Sequence, residues 1–121
     1  MPPVPVLYQL DTCSTCQRIR RTLGDQPDLT VVDIKTTPLT APALDRMAEL
    51  AGSYAALFSR RAMKYRSMGL ADQSLTEADY RRLILEEYTF LKRPVLLTRD
   101  QVFAGSAKAT IAAAKAALDA R

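Results

Sequence analysis

The first 34 residues predict two parallel strands joined by a helix. Residues 4–9 (VPVLYQ) form a short apolar run that contains Pro5, which favours a strand that tolerates an edge position. A helical pattern runs from Ser14 to a stop at Gly24, and the β-branched run at residues 29–34 (LTVVDI) is typical of a second strand. A strand–helix–strand unit of about 30 residues implies a parallel pair with a right-handed crossover.

Residues 40–90 predict mostly helices. Thr40 is a candidate N-cap for one helix, and a shorter helical piece is expected at residues 54–58. Thr76, with Asp79 three positions later, has the pattern of a capping box at the start of a further helix. This part of the chain therefore predicts a helical insertion between the second and third strands.

The end of the chain predicts a hairpin followed by a helix. Apolar runs at residues 95–98 and 102–104 flank a three-residue loop, and Gly105 opens a last helix with one apolar side. The order βαβ, helices, ββα indicates an α/β fold with a mixed four-stranded sheet. No linker or low-complexity segment interrupts it, so we expect a single domain over residues 1–121 with the helical insertion at about 40–90.

The absence of histidine narrows the chemistry that the chain can perform. Without His, the Ser-His-Asp and Cys-His mechanisms and the common zinc sites are excluded. The two cysteines, Cys13 and Cys16, are too few for a four-thiolate zinc site in one chain, so no metal is predicted. The net charge of +4 permits an anionic substrate but falls short of a dedicated nucleic-acid binder, and no direct contact with nucleic acid is expected.

The two cysteines stand at the junction between the first strand and the first helix. The free N–H groups of the first helical turn and the helix dipole stabilise a thiolate there, so Cys13 is the predicted nucleophile. Cys16 lies one turn further, at the start of the packed face, and is the predicted resolving thiol. Two alternatives stay open: the pair are small core residues, or they bind zinc together with a second chain.

An oxyanion fits beside the Cys13 sulfur. The backbone N–H groups of residues 14–16 would cradle it, as helix N-termini commonly do. Hydroxyl groups next to the cysteine add further donors, which makes Thr12, Ser14 and Thr15 candidate substrate-binding residues.

Three arginines are candidates for neutralising that oxyanion, because a guanidinium donates two parallel hydrogen bonds to two oxygens. Arg93 precedes Pro94 and a buried strand, and in the predicted topology this entry segment lies beside the helix start that carries the cysteines. We expect Pro94 to be cis and to have a structural role at the site. Arg60 and Arg61 are the other candidates, and the alternative for both is a solvated basic helix face.

Five segments occur in order over about residues 6–118: TCSTC, FSRRAMKYRSMGL, LTEADYRRLILEE, LKRPVLLT and VFAG. In this order they resemble the ArsC/Spx/YffB group of thioredoxin-fold proteins. The resemblance implies a thioredoxin/glutaredoxin-like sheet with a helical insertion and, in the arsenate reductases, a catalytic cysteine with three arginines that bind arsenate. Cys13 matches that cysteine, and Arg93 matches the arginine before the proline. The arginine of the insertion falls on one of three neighbours: Ser59, Arg60 or Arg61. Arg61 best fits the Spx and YffB members.

The sequence departs from the glutaredoxin-linked arsenate reductases at three positions. Those enzymes have an arginine near Gly105 and a histidine at the position of Gln9, four residues before the catalytic cysteine. Cys16 stands where they have a serine or another residue, and this second cysteine resembles Spx, whose CxxC is the redox switch of a regulator that binds RNA polymerase.

The function that the resemblance implies is thiol-dependent reduction of arsenate to arsenite. Cys13 would attack arsenate, Cys16 would attack the resulting adduct, and an external reductant would reopen the disulfide. That reductant is thioredoxin, glutaredoxin with glutathione, or another low-molecular-weight thiol, and no bound cofactor is expected. The alternatives are a Spx-like redox-sensing regulator that binds RNA polymerase, and a general glutathione- or thioredoxin-linked disulfide reductase like YffB.

The sequence also predicts the compartment. The N-terminal residues lack a signal-peptide pattern, and no uninterrupted apolar stretch approaches about 18 residues. We therefore expect a cytoplasmic protein without a membrane partner.

Overall fold

The computed structural model describes residues 2–121, whose strands form a mixed four-stranded sheet in the order β2-β1-β3-β4. The strands and helices are β1 (Val6–Gln9), α1 (Ser14–Leu23), β2 (Thr30–Asp33), α2 (Ala41–Ala51), α3 (Met63–Ser67), α4 (Glu77–Glu86), β3 (Val95–Leu97), β4 (Val102–Ala104) and α5 (Lys108–Asp119). The pair β1–β2 is parallel, and the pairs β1–β3 and β3–β4 are antiparallel. The predicted order of strands and helices is confirmed.

The first strand is a central one, since β1 lies between β2 and β3, although Pro5 favoured a strand that tolerates an edge position. Leu7 is opposite Val31 on one side and opposite Leu96 on the other. The strand begins at Val6, one residue after Pro5, so the missing N–H of the proline falls outside the ladder of strand residues. The carbonyl of Pro5 still accepts a hydrogen bond from the Thr30 N–H at 3.0 Å.

Successive side chains of β1 lie on opposite faces of the sheet, and each face carries its own part of the core. Val6 and Tyr8 pack on one face with buried residues of α2 and α4. Leu7 packs on the other face, with buried residues of α1 and α5. A central strand buried on both faces carries apolar side chains in both directions, which explains why residues 6–8 form a continuous apolar run and not an alternating one.

The segment between β2 and β3 is mostly helical, as predicted. The Thr40 side chain caps α2 by accepting from the Ala43 N–H at 3.3 Å. The capping box is present at α4: the Asp79 N–H donates to Thr76 Oγ1 at 3.2 Å, and the Thr76 N–H donates to Asp79 Oδ2 at 2.9 Å. The helical piece expected at residues 54–58 is a single 3₁₀ turn, Ala55–Leu57.

Two boundaries near the end of the chain differ from the prediction. The hairpin loop spans residues 98–101, because Thr98 leaves the strand and its N–H donates to the Gln101 carbonyl at 2.9 Å. The last helix begins at Lys108 and not at Gly105, whose φ of +98° is not helical. Across residues 2–121 no helix has both the length and the apolar character needed to cross a bilayer.

Candidate active site

Cys13 lies between the central strand β1 and the first helix. It is the N-cap residue of α1, with extended backbone angles, and its thiol makes no capping hydrogen bond. The backbone is held on both sides, since the Cys13 N–H donates to the Leu10 carbonyl at 3.2 Å and the Cys13 carbonyl accepts from the Gln17 N–H at 3.0 Å. The sulfur therefore lies at the amino end of the helix, as predicted, and Cys13 is half-buried.

A polar network that the sequence analysis did not predict fixes the loop before Cys13. The fully buried Gln9 donates from Nε2 to Asp11 Oδ1 at 2.9 Å, and Gln17 Nε2 donates to the Asp11 carbonyl at 2.7 Å. The Asp11 N–H approaches Asp33 Oδ2, at the end of β2, at 3.4 Å. Gln9 occupies the position at which the glutaredoxin-linked reductases have a histidine, and here it anchors the loop through Asp11.

The two thiols have opposite protonation tendencies. Burial opposes ionisation of Cys13, but the backbone and side chain of Cys16, the backbone of Thr15 and the charge of Arg93 together lower the pKa of the Cys13 thiol. Burial raises the pKa of Cys16 to about 11, and the neighbouring Cys13 adds to that rise. Cys16 is fully buried. At neutral pH the half-buried Cys13 thiol is thus the more ionised, and the buried Cys16 thiol stays protonated.

This difference predicts the order in which the cysteines react with an alkylating agent. Because the thiolate is the reacting species, iodoacetamide at neutral pH should label Cys13 first and Cys16 only slowly. The alkylation rate of Cys13 should rise through a midpoint below the ordinary pKa of a thiol, and the alkylation rate of Cys16 should rise through a midpoint near 11. Peptide mapping after timed quenching measures both rates. Equal labelling, or faster labelling of Cys16, would contradict the assignment of nucleophile and resolving thiol.

Arg93 reaches the same edge of the sheet through the strand that follows it. The Arg93–Pro94 peptide bond is cis and Pro94 is buried, and the next residue, Val95, lies opposite Tyr8 of β1. The expected cis geometry of Pro94 is present. Since β1 and β3 are antiparallel neighbours, the start of β3 lies at the end of β1, beside the loop that leads to Cys13.

Arg60 and Arg61 are brought to Arg93 by a short pairing outside the main sheet. Phe58 and Leu91 form an antiparallel bridge. The Ser59 N–H donates to the Phe90 carbonyl at 2.7 Å, and the Lys92 N–H donates to the Leu57 carbonyl at 2.8 Å. This pairing fixes the chain on either side of the bridge, so the two arginines of the insertion lie next to the arginine that precedes β3.

These elements enclose an open cleft of about 700 Å³ beside Cys13. Its lining consists of Cys13, Thr15, Phe58, Ser59, Arg60, Arg61, Lys92, Arg93, Ala104, Gly105, Ser106 and Ala107. Four of these residues are cationic, and within residues 2–121 no acidic side chain lines the cleft. The structure thus brings together Cys13, Thr15 and the three predicted arginines. It leaves the side chains of Thr12 and Ser14 exposed and outside the lining.

The lining positions that were missed from the sequence include Lys92, Ser106 and Ala107. Lys92 adjoins Arg93, so the KRP motif itself was an available signal. The other two lie between β4 and α5, where the Gly105 N–H donates to the Pro94 carbonyl at 2.9 Å. Gly105 has a φ of +98°, a conformation that L side chains rarely adopt. An arginine at this position would be strained in the present backbone.

The basic residues of the insertion, Arg60, Arg61, Lys64 and Arg66, are all exposed, and two of them contact other side chains of the protein. Arg60 donates from Nη2 to the Tyr80 hydroxyl at 3.0 Å, and Lys64 pairs with Glu87 at 3.2 Å. Arg60 and Arg61 line the cleft. Both arginines are solvent-exposed, but they lie in the turn before α3 and not on a helix face.

The sheet topology, a cysteine at the start of the first helix and a cis-proline at the start of β3 define a thioredoxin-like α/β protein. This chain belongs to the ArsC family, whose model matches residues 8–114. The fold and family expected from the sequence are confirmed.

Solved structures with the same architecture include several relatives of moderate identity. A protein from Streptococcus mutans described as a possible arsenate reductase is 25% identical, with a TM-score of 0.72 and coverage of 88% of this chain and 92% of that chain. The protein YFFB is 26% identical, with a TM-score of 0.76 and coverage of 90% and 96%. An arsenate reductase (ArsC) related protein from Brucella melitensis is 27% identical, with a TM-score of 0.67 and coverage of 89% and 91%. No curated protein sequence matches the chain.

Proposed function

We propose that this protein is a thiol-dependent reductase of arsenate, with Cys13 as nucleophile and Cys16 as resolving thiol. The observation that carries the proposal is the cleft in which the half-buried Cys13 lies with Arg60, Arg61 and Arg93, while no acidic side chain of residues 2–121 lines it. A small oxyanion with several oxygens is the ligand that converging guanidinium groups recognise best. The relative from Streptococcus mutans, described as a possible arsenate reductase, supports the same choice of substrate.

The reaction begins with the ionised Cys13. Its sulfur attacks the As(V) centre, an oxygen of arsenate leaves as water after protonation, and a sulfur–arsenic bond forms. Cys16 then loses its proton and attacks the Cys13 sulfur. The disulfide forms, and the electron pair of the sulfur–arsenic bond stays on arsenic, which leaves as As(III) in arsenite. Two thiols and arsenate thus give one disulfide, arsenite and one water.

The two pKa shifts suit these two steps. A lowered pKa increases the fraction of Cys13 that is a thiolate before the substrate arrives. The raised pKa of about 11 keeps Cys16 protonated, so that it does not compete for the oxyanion. No bound cofactor enters this scheme, and the electrons come from an external thiol reductant: thioredoxin, glutaredoxin with glutathione, or another low-molecular-weight thiol.

The regulator hypothesis, in which the basic segment binds RNA polymerase, has less support. Two of its basic residues, Arg60 and Lys64, are engaged by Tyr80 and Glu87 within the protein. Arg60 and Arg61 also line the cleft beside Cys13. A segment used in this way suits a small anionic substrate better than a flat surface for a large partner.

A single-turnover experiment tests the proposal. Fully reduced protein, mixed with arsenate under anaerobic conditions and without any reductant, should form one equivalent of arsenite and lose two hydrogens by mass spectrometry. Phosphate is the matched control, because it has the same shape and charge but does not accept electrons. Cys13→Ser should form neither product. Arsenite formation by Cys13→Ser, or equal disulfide formation with phosphate, would overturn the proposal.

A further inference from the structure

Arg60 and Arg61 are held differently although they are neighbours and line the same cleft. The guanidinium of Arg60 donates to the Tyr80 hydroxyl at 3.0 Å, and its central carbon lies 5.8 Å from the centre of the Tyr80 ring. For the guanidinium of Arg61, no side-chain or backbone acceptor lies within hydrogen-bonding distance in residues 2–121. One arginine is therefore oriented before any ligand binds, and the other is not.

Tyr80 is itself fixed by its surroundings. Its ring packs on Phe58 with a centroid distance of 4.8 Å, and Phe58 stacks on the buried Phe90 at 5.0 Å. Tyr80 also lies in the first turn and a half of α4, directly after the capping box of Thr76 and Asp79. A hydroxyl carried by such a ring has little freedom, so it defines where the Arg60 guanidinium lies.

We propose that Tyr80 is a positioning residue that orients Arg60 for the oxyanion, so that Arg60 is the pre-ordered arginine of the insertion. This inference rests on the proposed function. The hydrogen bond to Tyr80 occupies one guanidinium donor and leaves the others for a ligand. Ordering the side chain beforehand reduces the entropy that is lost when the anion binds. The arginine of the insertion that binds arsenate in the family would then correspond to Arg60, and not to Arg61, which the sequence pattern favoured.

The role of Arg60 is distinct from that of Arg93. The charge of Arg93 lowers the pKa of Cys13, whereas Arg60 is not among the groups that affect this thiol. Tyr80 and Arg60 should therefore act on oxyanion binding and not on the reactivity of the sulfur. That separation gives a readout that a general loss of structure would not reproduce.

A double-mutant cycle tests the proposal. Steady-state kinetics with arsenate are measured for the wild type, Tyr80→Phe, Arg60→Ala and the double variant. Tyr80→Phe keeps the ring and removes one hydrogen bond, so KM should rise about 3- to 10-fold with kcat and the pH midpoint of Cys13 alkylation unchanged. In the Arg60→Ala background, the further substitution Tyr80→Phe should leave KM unchanged. Tyr65→Phe is the matched control, because Tyr65 also packs on Phe58, at 6.0 Å, without bonding to Arg60.

A binding measurement separates failure of this inference from failure of the proposed function. Phosphate should slow the alkylation of wild-type Cys13, and Tyr80→Phe should need a higher phosphate concentration for the same protection. If neither arsenate nor phosphate protects the wild type, and arsenate is not reduced, the proposed function fails and the inference with it. If phosphate protects Cys13 equally in the wild type and in Tyr80→Phe, the inference alone is overturned. The same holds if Tyr80→Phe keeps its full effect on KM in the Arg60→Ala background.

Discussion

Replacing Cys16 with serine should reduce thioredoxin-supported arsenate turnover by at least about 100-fold, while Cys13 still attacks arsenate. The expected size reflects proximity: a thiol one helical turn away replaces a bimolecular step with an intramolecular one of high effective concentration. The serine hydroxyl is nearly isosteric but does not form the disulfide. A reaction quenched after one turnover should show an arsenic adduct or a free thiol on Cys13, in place of the loss of two hydrogens.

The pH dependence of the resolving step provides a second measure. Because the pKa of Cys16 is raised to about 11, its thiolate fraction increases through the whole range from neutral pH to that value. Disulfide formation in the wild type should accelerate with pH after Cys13 is already ionised. Unchanged turnover in Cys16→Ser, with glutathione attached to Cys13, would contradict the internal disulfide and indicate a glutathione-adduct mechanism.

Replacing Arg93 with alanine should lower kcat/KM for arsenate about 30- to 1000-fold. Removal of a bidentate cation from a partly desolvated anion site costs on the order of 2 to 4 kcal/mol of transition-state stabilisation. The same change should raise the pKa of Cys13, because the charge of Arg93 favours its thiolate. Kinetics and the pH profile of Cys13 alkylation measure the two effects on one variant.

Two control variants distinguish the effect of the paired guanidinium donors of Arg93 from the effect of its charge alone. Arg93→Lys keeps the charge and loses the paired donors, so it should restore the Cys13 pKa but only part of the rate. Arg18→Ala removes an exposed cation of α1 that does not line the cleft, and it should leave kcat/KM close to that of the wild type. Near-complete activity in Arg93→Ala would remove the central member of the proposed anion site.

Local patterns in the sequence were sufficient for most of the fold. The parallel unit, the capping box at Thr76 and the final hairpin depend on short-range periodicity, capping chemistry and turn residues, and all are present. The central position of β1 was not predicted, because Pro5 favoured a strand that tolerates an edge position, whereas the strand begins one residue later. Whether a proline interrupts a ladder is decided by register, which one strand alone does not specify.

The site was predictable only as far as its residues carry a local signal. Cys13, Cys16 and Arg93 stand in motifs, so the sequence alone singles them out as candidates. The contact between Arg60 and Tyr80 joins residues 20 positions apart across two packed segments, and no spacing rule connects them. The anchoring of Asp11 by Gln9 was missed for another reason: a buried glutamine in a central strand has no distinctive pattern until its partners are known.

Local unfolding at the bridge between Phe58 and Leu91 would separate two walls of the cleft. Two backbone hydrogen bonds, from the Ser59 and Lys92 amides, join the arginine segment to the strand entry. If they open, the segment of Arg60 and Arg61 loses its backbone link to the strand entry and is held there only by contacts such as that of Arg60 with Tyr80, whereas Cys13 and Arg93 adjoin strands that stay paired. These two amides should exchange with deuterium sooner than those of β1 and β3. The partly opened molecule would keep a reactive thiolate without its full selection for oxyanions, and would admit a bulkier electrophile or a protein disulfide.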